Sequence, residues 1–389
     1  MKLTKLFKEF FDSEKTGGLT LVACTILSLI IANSCFGTGY HYFWQSQFAA
    51  HTIEHWVNDG LMTIFFLLIG LELEREIFQG ELSNIKDCLL PVFGALGGIL
   101  VPAGIFLLFN YGTITQSGAG IPMATDIAFS LGILSLLGKR VPVSLKIFLT
   151  ALAVIDDLGA IIIIAIFYTK TLLWLNLFIA LGIFALLLAL NRLKVRNLIP
   201  YIIGGFVMWY FMLHSGVHAT ITGVLLAFAI PFGNGDEKST SFMLQRFLHK
   251  PVAFFILPVF ALANTAIVLS GDILETLTQH YSVGIALGLI VGKPLGIFLF
   301  TFLAVTFRLC KLPKDLTWPS ILGVGFLGGI GFTMSIFITL LAFNNYTFIN
   351  NAKLVILLSS LIAGIIGFLS LKISLKKRGA KNLSPTNQK

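Results

Sequence analysis

The chain has 389 residues, 56% of them hydrophobic and only 12% charged, with a mean hydropathy of +0.91. Soluble globular proteins carry about 25% charged residues, so that class is excluded and an all-α polytopic membrane protein is implied. The formal net charge of +9 does not point to nucleic acid, because the basic residues lie in the connections between apolar runs.

The N-terminus is basic at Lys2, Lys5, Lys8 and Lys15 and then apolar from Leu19 to Ala32. It has the look of a signal sequence, but no small-x-small cleavage site follows Ala32, so a retained first span is expected. The four cysteines, Cys24, Cys35, Cys88 and Cys310, are scattered, which predicts neither a disulfide framework nor a metal-ligand set. The 37 Gly suit close helix crossings or broken helices.

Apolar runs bounded by polar residues, Pro or Gly predict about twelve spans, near residues 17–33, 57–77, 90–109, 118–138, 144–168, 172–190, 198–213, 216–231, 252–270, 282–306, 318–342 and 351–372. With the N-terminus inside, all of the 27 Lys and Arg except Lys146, Lys170, Lys293 and Lys353 fall on the cytoplasmic side, as the positive-inside bias requires. One missed span would invert every later loop, so an even number with both termini cytoplasmic is expected. The outer connection 34–56 has no Lys or Arg and alternates aromatic with polar residues (Tyr40, Tyr42, Trp44, Phe48). It predicts a short periplasmic hairpin whose edge could pair with a second copy. The inner connection Pro231–Pro251 is polar and is expected to be flexible. The tail 376–389 is expected to be a basic, disordered end held by anionic lipid at the cytoplasmic face. No domain boundary is visible, so residues 1–389 are taken as a single integral membrane domain.

The fourth span carries Gly118-Ala-Gly-Ile-Pro122-Met-Ala-Thr125-Asp126, and the eleventh carries Gly323-Val-Gly-Phe-Leu-Gly328-Gly329-Ile-Gly331-Phe-Thr333. Both predict interrupted helices. Each is the middle of a three-span group, spans 3–5 and 10–12, and the two groups enter the membrane from opposite sides. That is the pattern of an inverted repeat whose broken helices cross near the midplane.

Among the ionisable residues inside the predicted spans are Asp59, Asp126, Asp156, Asp157, His218 and Lys293. Such residues are expensive and mark functional sites. A merely structural polar pair would need one aspartate, whereas a second at Asp156–Asp157 adds like-charge repulsion. Consecutive helical residues point about 100° apart, so the two carboxylates should have separate tasks: one faces a water-filled cavity as cation ligand, the other pairs with Lys293. Lys293 lies about eleven residues into an apolar run, too deep to snorkel easily. It is suited to offset half-helix C-termini or to pair with an aspartate. Asp126, at the break of span four, is suited to offset half-helix N-termini. Thr125 can add a neutral oxygen ligand for a hard cation.

The runs Phe65-Phe-Leu-Leu-Ile-Gly-Leu-Glu72, Pro122-Met-Ala-Thr-Asp-Ile-Ala-Phe129, Leu145-Lys-Ile-Phe-Leu-Thr-Ala-Leu-Ala-Val-Ile-Asp-Asp-Leu-Gly-Ala160, His214-Ser-Gly-Val-His-Ala-Thr220, Gly292-Lys-Pro-Leu-Gly296 and Gly329-Ile-Gly-Phe-Thr-Met-Ser335 resemble the bacterial NhaA-type sodium/proton antiporters, in order and over essentially the whole chain. The resemblance implies an inner-membrane antiporter of twelve spans that is no enzyme and needs no cofactor. It would expel Na⁺ or Li⁺ in exchange for more than one inward proton. Family roles would fall on Asp157 as principal cation and proton carboxylate, on Asp156 as its partner bridged to Lys293, and on Asp126 and Thr125 at the crossing. His218, Glu72, Arg75 and Glu76 would serve the pH response, and homodimers would join through the 34–56 loop. Before span nine the chain departs from the family's best-known pattern of an acidic residue and a histidine, with Leu244-Gln-Arg-Phe-Leu-His249.

Other signals are weaker. His51-Thr-Ile-Glu-His55 matches a zinc-peptidase pattern in a loop with no room for a catalytic domain, and Gly233-Asn-Gly-Asp236 matches an intramembrane aspartyl-protease motif in a polar loop rather than a span. His214 and His218, four apart, suit polar packing better than a metal pair. No phosphate-binding loop supports ATP drive. A same-fold symporter for an organic anion is the competing function, and it would want a basic site.

Overall fold

The structure is a computed structural model that describes residues 5–80, 83, 85–169, 171–233, 235–237, 239–268 and 273–383. Lys2, Lys170, Lys238 and tail residues 384–389 lie outside the described residues. The long elements are helices, as they must be where backbone polar groups find no water. In chain order they are α1 (Lys5–Ala32), α2 (Gly37–Gln45), α3 (Ile53–Phe78), α4 (Ile85–Asn110), a 3₁₀ helix (Gln116–Met123), α5 (Ile127–Leu136), α6 (Val143–Phe167), α7 (Trp174–Arg192), α8 (Ile199–Leu213), α9 (Ile221–Ala229), α10 (Thr240–Asn264), α11 (Ile273–Thr278), α12 (His280–Thr306), α13 (Trp318–Gly328), α14 (Phe332–Ala342) and α15 (Tyr346–Leu383). Among the described residues eight helices are long and apolar enough to cross a membrane, or up to ten if each bent pair forms one span. The protein is a polytopic membrane protein.

Several expected boundaries move. In the 34–56 connection the antiparallel strands Gln47–Phe48 and His51–Thr52 hold two residues each, and most of the aromatic alternation lies on α2. Tyr40 and Trp44 are one helical turn apart there and meet edge to face with centroids 6.0 Å apart; that i,i+4 contact overrides the period-two pattern. Helix α10 starts at Thr240, where the Ser239 hydroxyl accepts from Phe242 N, so half of the inner connection expected to be flexible is helical. Pro251, which looked like a boundary, is passed by a π turn at Val252–Ile256. The expected span 216–231 shrinks to the nine residues of α9, because Gly216 takes φ +88° and turns the chain first. Helix α15 runs to Leu383, into the tail expected to be disordered, with the Lys372 amine over the Phe368 ring one turn earlier.

Both expected interruptions are present. The fourth span is a 3₁₀ helix, an extended link at Ala124–Asp126 and then α5. The eleventh bends by 47° between α13 and α14. Proline has no N–H to continue an α-ladder, and Pro294 follows a π turn at Gly288–Gly292 that delivers Lys293 to the start of the remaining α-helical part of α12.

The chain folds as two compact units. One is built from the described residues of 1–19, 85–156 and 272–389, the other from those of 20–84 and 157–271. Within the first, α4 and α12 touch backbone to backbone: a Cβ on Gly97 would overlap the Gly296 carbonyl, and one on Gly296 the Gly97 carbonyl. Within the second, Gly70 faces Ala227 and Gly223 faces the Thr63 carbonyl, which closes α3 onto α9 in the same small-residue manner.

The α4–α12 contact leads to a stability prediction. Gly97→Ala should destabilise the protein by about 1–3 kcal/mol through overpacking, whereas Gly104→Ala, with open space around its would-be Cβ, should be neutral. Thermal unfolding in detergent checks the difference, and equal behaviour would contradict this packing.

Candidate functional site

The interruption of two helices in a buried interior leaves four half-helix ends, and the site is what satisfies them. Such ends carry unpaired N–H or C=O groups equivalent to about half an elementary charge. Asp126 caps both N-terminal ends. Its Oδ1 accepts from Phe129 N at 3.0 Å, in the first turn of α5, and its Oδ2 accepts from Thr333 N at 3.1 Å and Thr333 Oγ1 at 2.6 Å, in the first turn of α14. Its own N–H donates to Ile330 O at 2.7 Å, which laces the two breaks together.

The C-terminal ends are met by donors. Lys293 donates to Met123 O, the last carbonyl of the 3₁₀ helix. The Thr125 hydroxyl lies 2.9 Å from Gly328 O at the end of α13 and has one proton to share between that carbonyl and Asp156. Lys293 and Thr125 then converge on one oxygen: Asp156 Oδ2 is 2.7 Å from Lys293 Nζ and 2.7 Å from Thr125 Oγ1. Lys293 and Thr125 are 0% exposed, Asp156 1% and Asp126 2%. A charged pair this deep survives only with near-ideal geometry and further hydrogen bonds, and both conditions are met. The other oxygen, Asp156 Oδ1, accepts no hydrogen bond among the described residues. It is therefore one oxygen that could take a hard cation.

Four residues singled out from sequence, Thr125, Asp126, Asp156 and Lys293, thus come together. Asp157 follows Asp156 in α6, is equally buried at 1%, and belongs to the second unit. In that unit Glu72, Arg75 and Glu76 share α3. Arg75 lies over the Phe242 ring at 5.5 Å, and Gln245 hydrogen bonds Glu72. His218 is in the irregular link before α9 rather than in a helix, with Nε2 donating to Tyr168 O at 3.1 Å.

Sequence reasoning missed Glu74, a 4%-exposed acid whose Oε2 accepts from Ser241 at 3.1 Å; its place among Glu72, Arg75 and Glu76 was the available signal. It also gave Thr333 no role, although its motif was noticed. Of the other patterns, His55 pairs with Asp59 at 3.2 Å, and Gly233 and Gly235 take φ +61° and +65°. Among the described residues no group of three or more His, Cys, Asp or Glu is placed to hold a metal ion.

A buried carboxylate–ammonium pair at the contact of two interrupted helices in a polytopic membrane protein is the arrangement of a secondary transporter. The sequence profile of the family described as Na⁺/H⁺ antiporter 1 matches residues 8–371. The chain is 75% identical over 382 residues to the Na⁺/H⁺ antiporter NhaA of Flavobacterium psychrophilum, covering 98% of this chain and 100% of that one. It is 64% identical to Na⁺/H⁺ antiporter NhaA 1 of Flavobacterium johnsoniae (96% and 98% covered) and 61% identical to the NhaA of Cytophaga hutchinsonii (97% of each). The chain belongs to the Na⁺/H⁺ antiporter 1 family.

The ion pair sets a prediction. Lys293→Met leaves Asp156 buried without its cation and should cost about 3–5 kcal/mol of stability. Lys293→Met combined with Asp156→Asn should cost less, since no lone charge remains; thermal unfolding of purified protein compares the two. A double variant less stable than the single one would refute the pairing.

Proposed function

We infer that this chain exchanges Na⁺ for H⁺ across a membrane, and we propose that it does so as an electrogenic antiporter, carrying Na⁺ or Li⁺ out for more than one proton in. Sequence identity of 61–75% to three antiporters over nearly their full lengths supports the exchange itself. The observation that carries the mechanism is the single oxygen, Asp156 Oδ2, on which Lys293 and Thr125 converge.

In this reading Asp157 is the principal carboxylate for cation and proton, and Asp156, tied to Lys293, is its partner. Proton and Na⁺ compete for the same oxygens, because burial favours the neutral acid and a bound cation favours the charged one. Two acids per site allow more than one proton per Na⁺. The surplus positive charge then moves inward, gaining about 2.3 kcal/mol for each 100 mV of membrane potential. Thr125 adds a neutral oxygen, and Asp126 holds the crossing together. An organic-anion symporter would need a basic site, whereas the residues read from the sequence as this site, Asp126, Asp156, Asp157 and Lys293, are acidic by three to one.

The wider reading is a single transporter domain over residues 1–389 in the bacterial inner membrane, with twelve spans and both termini cytoplasmic. Spans 3–5 and 10–12 form inverted repeats that alternate access around the crossing. Glu72, Arg75, Glu76 and His218 tune the response to pH. Two copies join through the 34–56 loop, and anionic lipid holds the basic C-terminal end.

In inverted vesicles, Na⁺ or Li⁺ should dissipate an acid-inside gradient, and silence of the wild-type protein between neutral and alkaline pH would overturn the reading. Asp157→Asn should abolish exchange while the protein still folds. Because protons compete with the cation, the apparent KM for Na⁺ should rise as pH falls, by about tenfold per pH unit for each competing proton. A KM flat from pH 7 to 9 would rule competition out.

A further inference from the structure

Two buried serines that the mechanism above does not use form a reciprocal pair at the crossing. Ser130, in α5, donates its hydroxyl to Leu327 O at 2.7 Å, near the end of α13. Ser335, in α14, donates to Ile121 O at 2.7 Å, near the end of the 3₁₀ helix. Both side chains are 0% exposed. Each serine stands one helical turn past its own break, since Ser130 N bonds Asp126 O at 3.0 Å and Ser335 N bonds Gly331 O at 2.7 Å. Each reaches across to a C-terminal carbonyl of the other interrupted segment. Both carbonyls lie near the C-terminal end of a half-helix; the Leu327 carbonyl also accepts from Ile330 N at 3.1 Å, so the Ser130 bond is a second one there.

The exchange of donors has a geometric consequence. Sliding one interrupted segment along the other would break both serine bonds at once. The same slide would displace Gly328 O from Thr125, because Leu327 adjoins Gly328, and a slide of the segment around residue 124 would also displace Met123 O from Lys293, because Ile121 lies two residues before Met123. Gly331 makes one of the contacts possible, since a Cβ there would overlap the Ser335 hydroxyl.

We propose that Ser130 and Ser335 are positioning residues for cation exchange. Acting as crossed hydroxyl caps, they set the register of the two broken segments and thereby the placement of Thr125 and Lys293 around Asp156. The proposal rests on the antiport reading.

The test measures Na⁺ and Li⁺ exchange against pH in proteoliposomes for Ser130→Ala, Ser335→Ala and the double variant, with Ser28→Ala as control. Ser28 is also 0% exposed and donates to a backbone carbonyl, Leu262 O at 2.9 Å, but in the second unit. Each single variant is expected to raise the apparent KM for Na⁺ by about two- to tenfold, the worth of one hydrogen bond. The pH profile should move with it, and the double variant should differ from the sum of the singles, because both bonds hold one register. Ser28→Ala should leave KM and the profile in place. Should an alanine variant not accumulate, Ser130→Cys and Ser335→Cys keep the shape with a weaker donor and should shift KM in the same direction. Unchanged KM and pH profile beside an active wild type would overturn the proposal, as would an equal shift from Ser28→Ala. A silent wild type would overturn the antiport reading, and this role with it.

Discussion

The ion pair between Asp156 and Lys293 is the constraint on which the first unit depends. A carboxylate and an ammonium removed from water are each costly, and their attraction compensates only when other groups complete their hydrogen bonds. Thr125 and the Met123 carbonyl are those groups, and both belong to the interrupted segment around residue 124. The helix has to be broken there to free a carbonyl for Lys293 and to bring a hydroxyl to Asp156. The break and the ion pair therefore explain each other.

The same logic extends outward. Two broken helices present ends of both signs, and the chain meets each with a group of opposite character: Asp126 at the N-terminal ends, and Lys293, Thr125, Ser130 and Ser335 at the C-terminal carbonyls. Most of these groups come from the segment opposite the one they cap. The crossing is consequently held by exchanged caps rather than by apolar packing alone. Around it, contacts such as Gly97 against Gly296 bring α12, and Lys293 with it, close to α4.

Much of the site was legible in the sequence. Charges within apolar runs are so costly that Asp126, Asp156, Asp157 and Lys293 stood out, and clustered glycines marked both interruptions. Less visible were features decided by local competition. The aromatic alternation of residues 40–44 looked like a strand, but Tyr40 and Trp44 meet on a helix. Pro251 looked like an end, but a π turn carries the helix past it. Glu74 and Ser241 are adjacent only once α3 and α10 pack, and nothing in the sequence near Ser241 announces a carboxylate.

The sequence by itself determined that the protein lives in a membrane, that two spans are interrupted, and which ionisable groups stand inside apolar runs, because polarity in hydrocarbon is costly. Tertiary structure alone decided the partners. That Lys293 pairs with Asp156, that one threonine oxygen faces both Asp156 and Gly328, and that two serines trade carbonyls across the crossing are matters of distances between segments far apart in the chain. A hydrogen bond depends on tenths of an ångström, and residue order carries no such information.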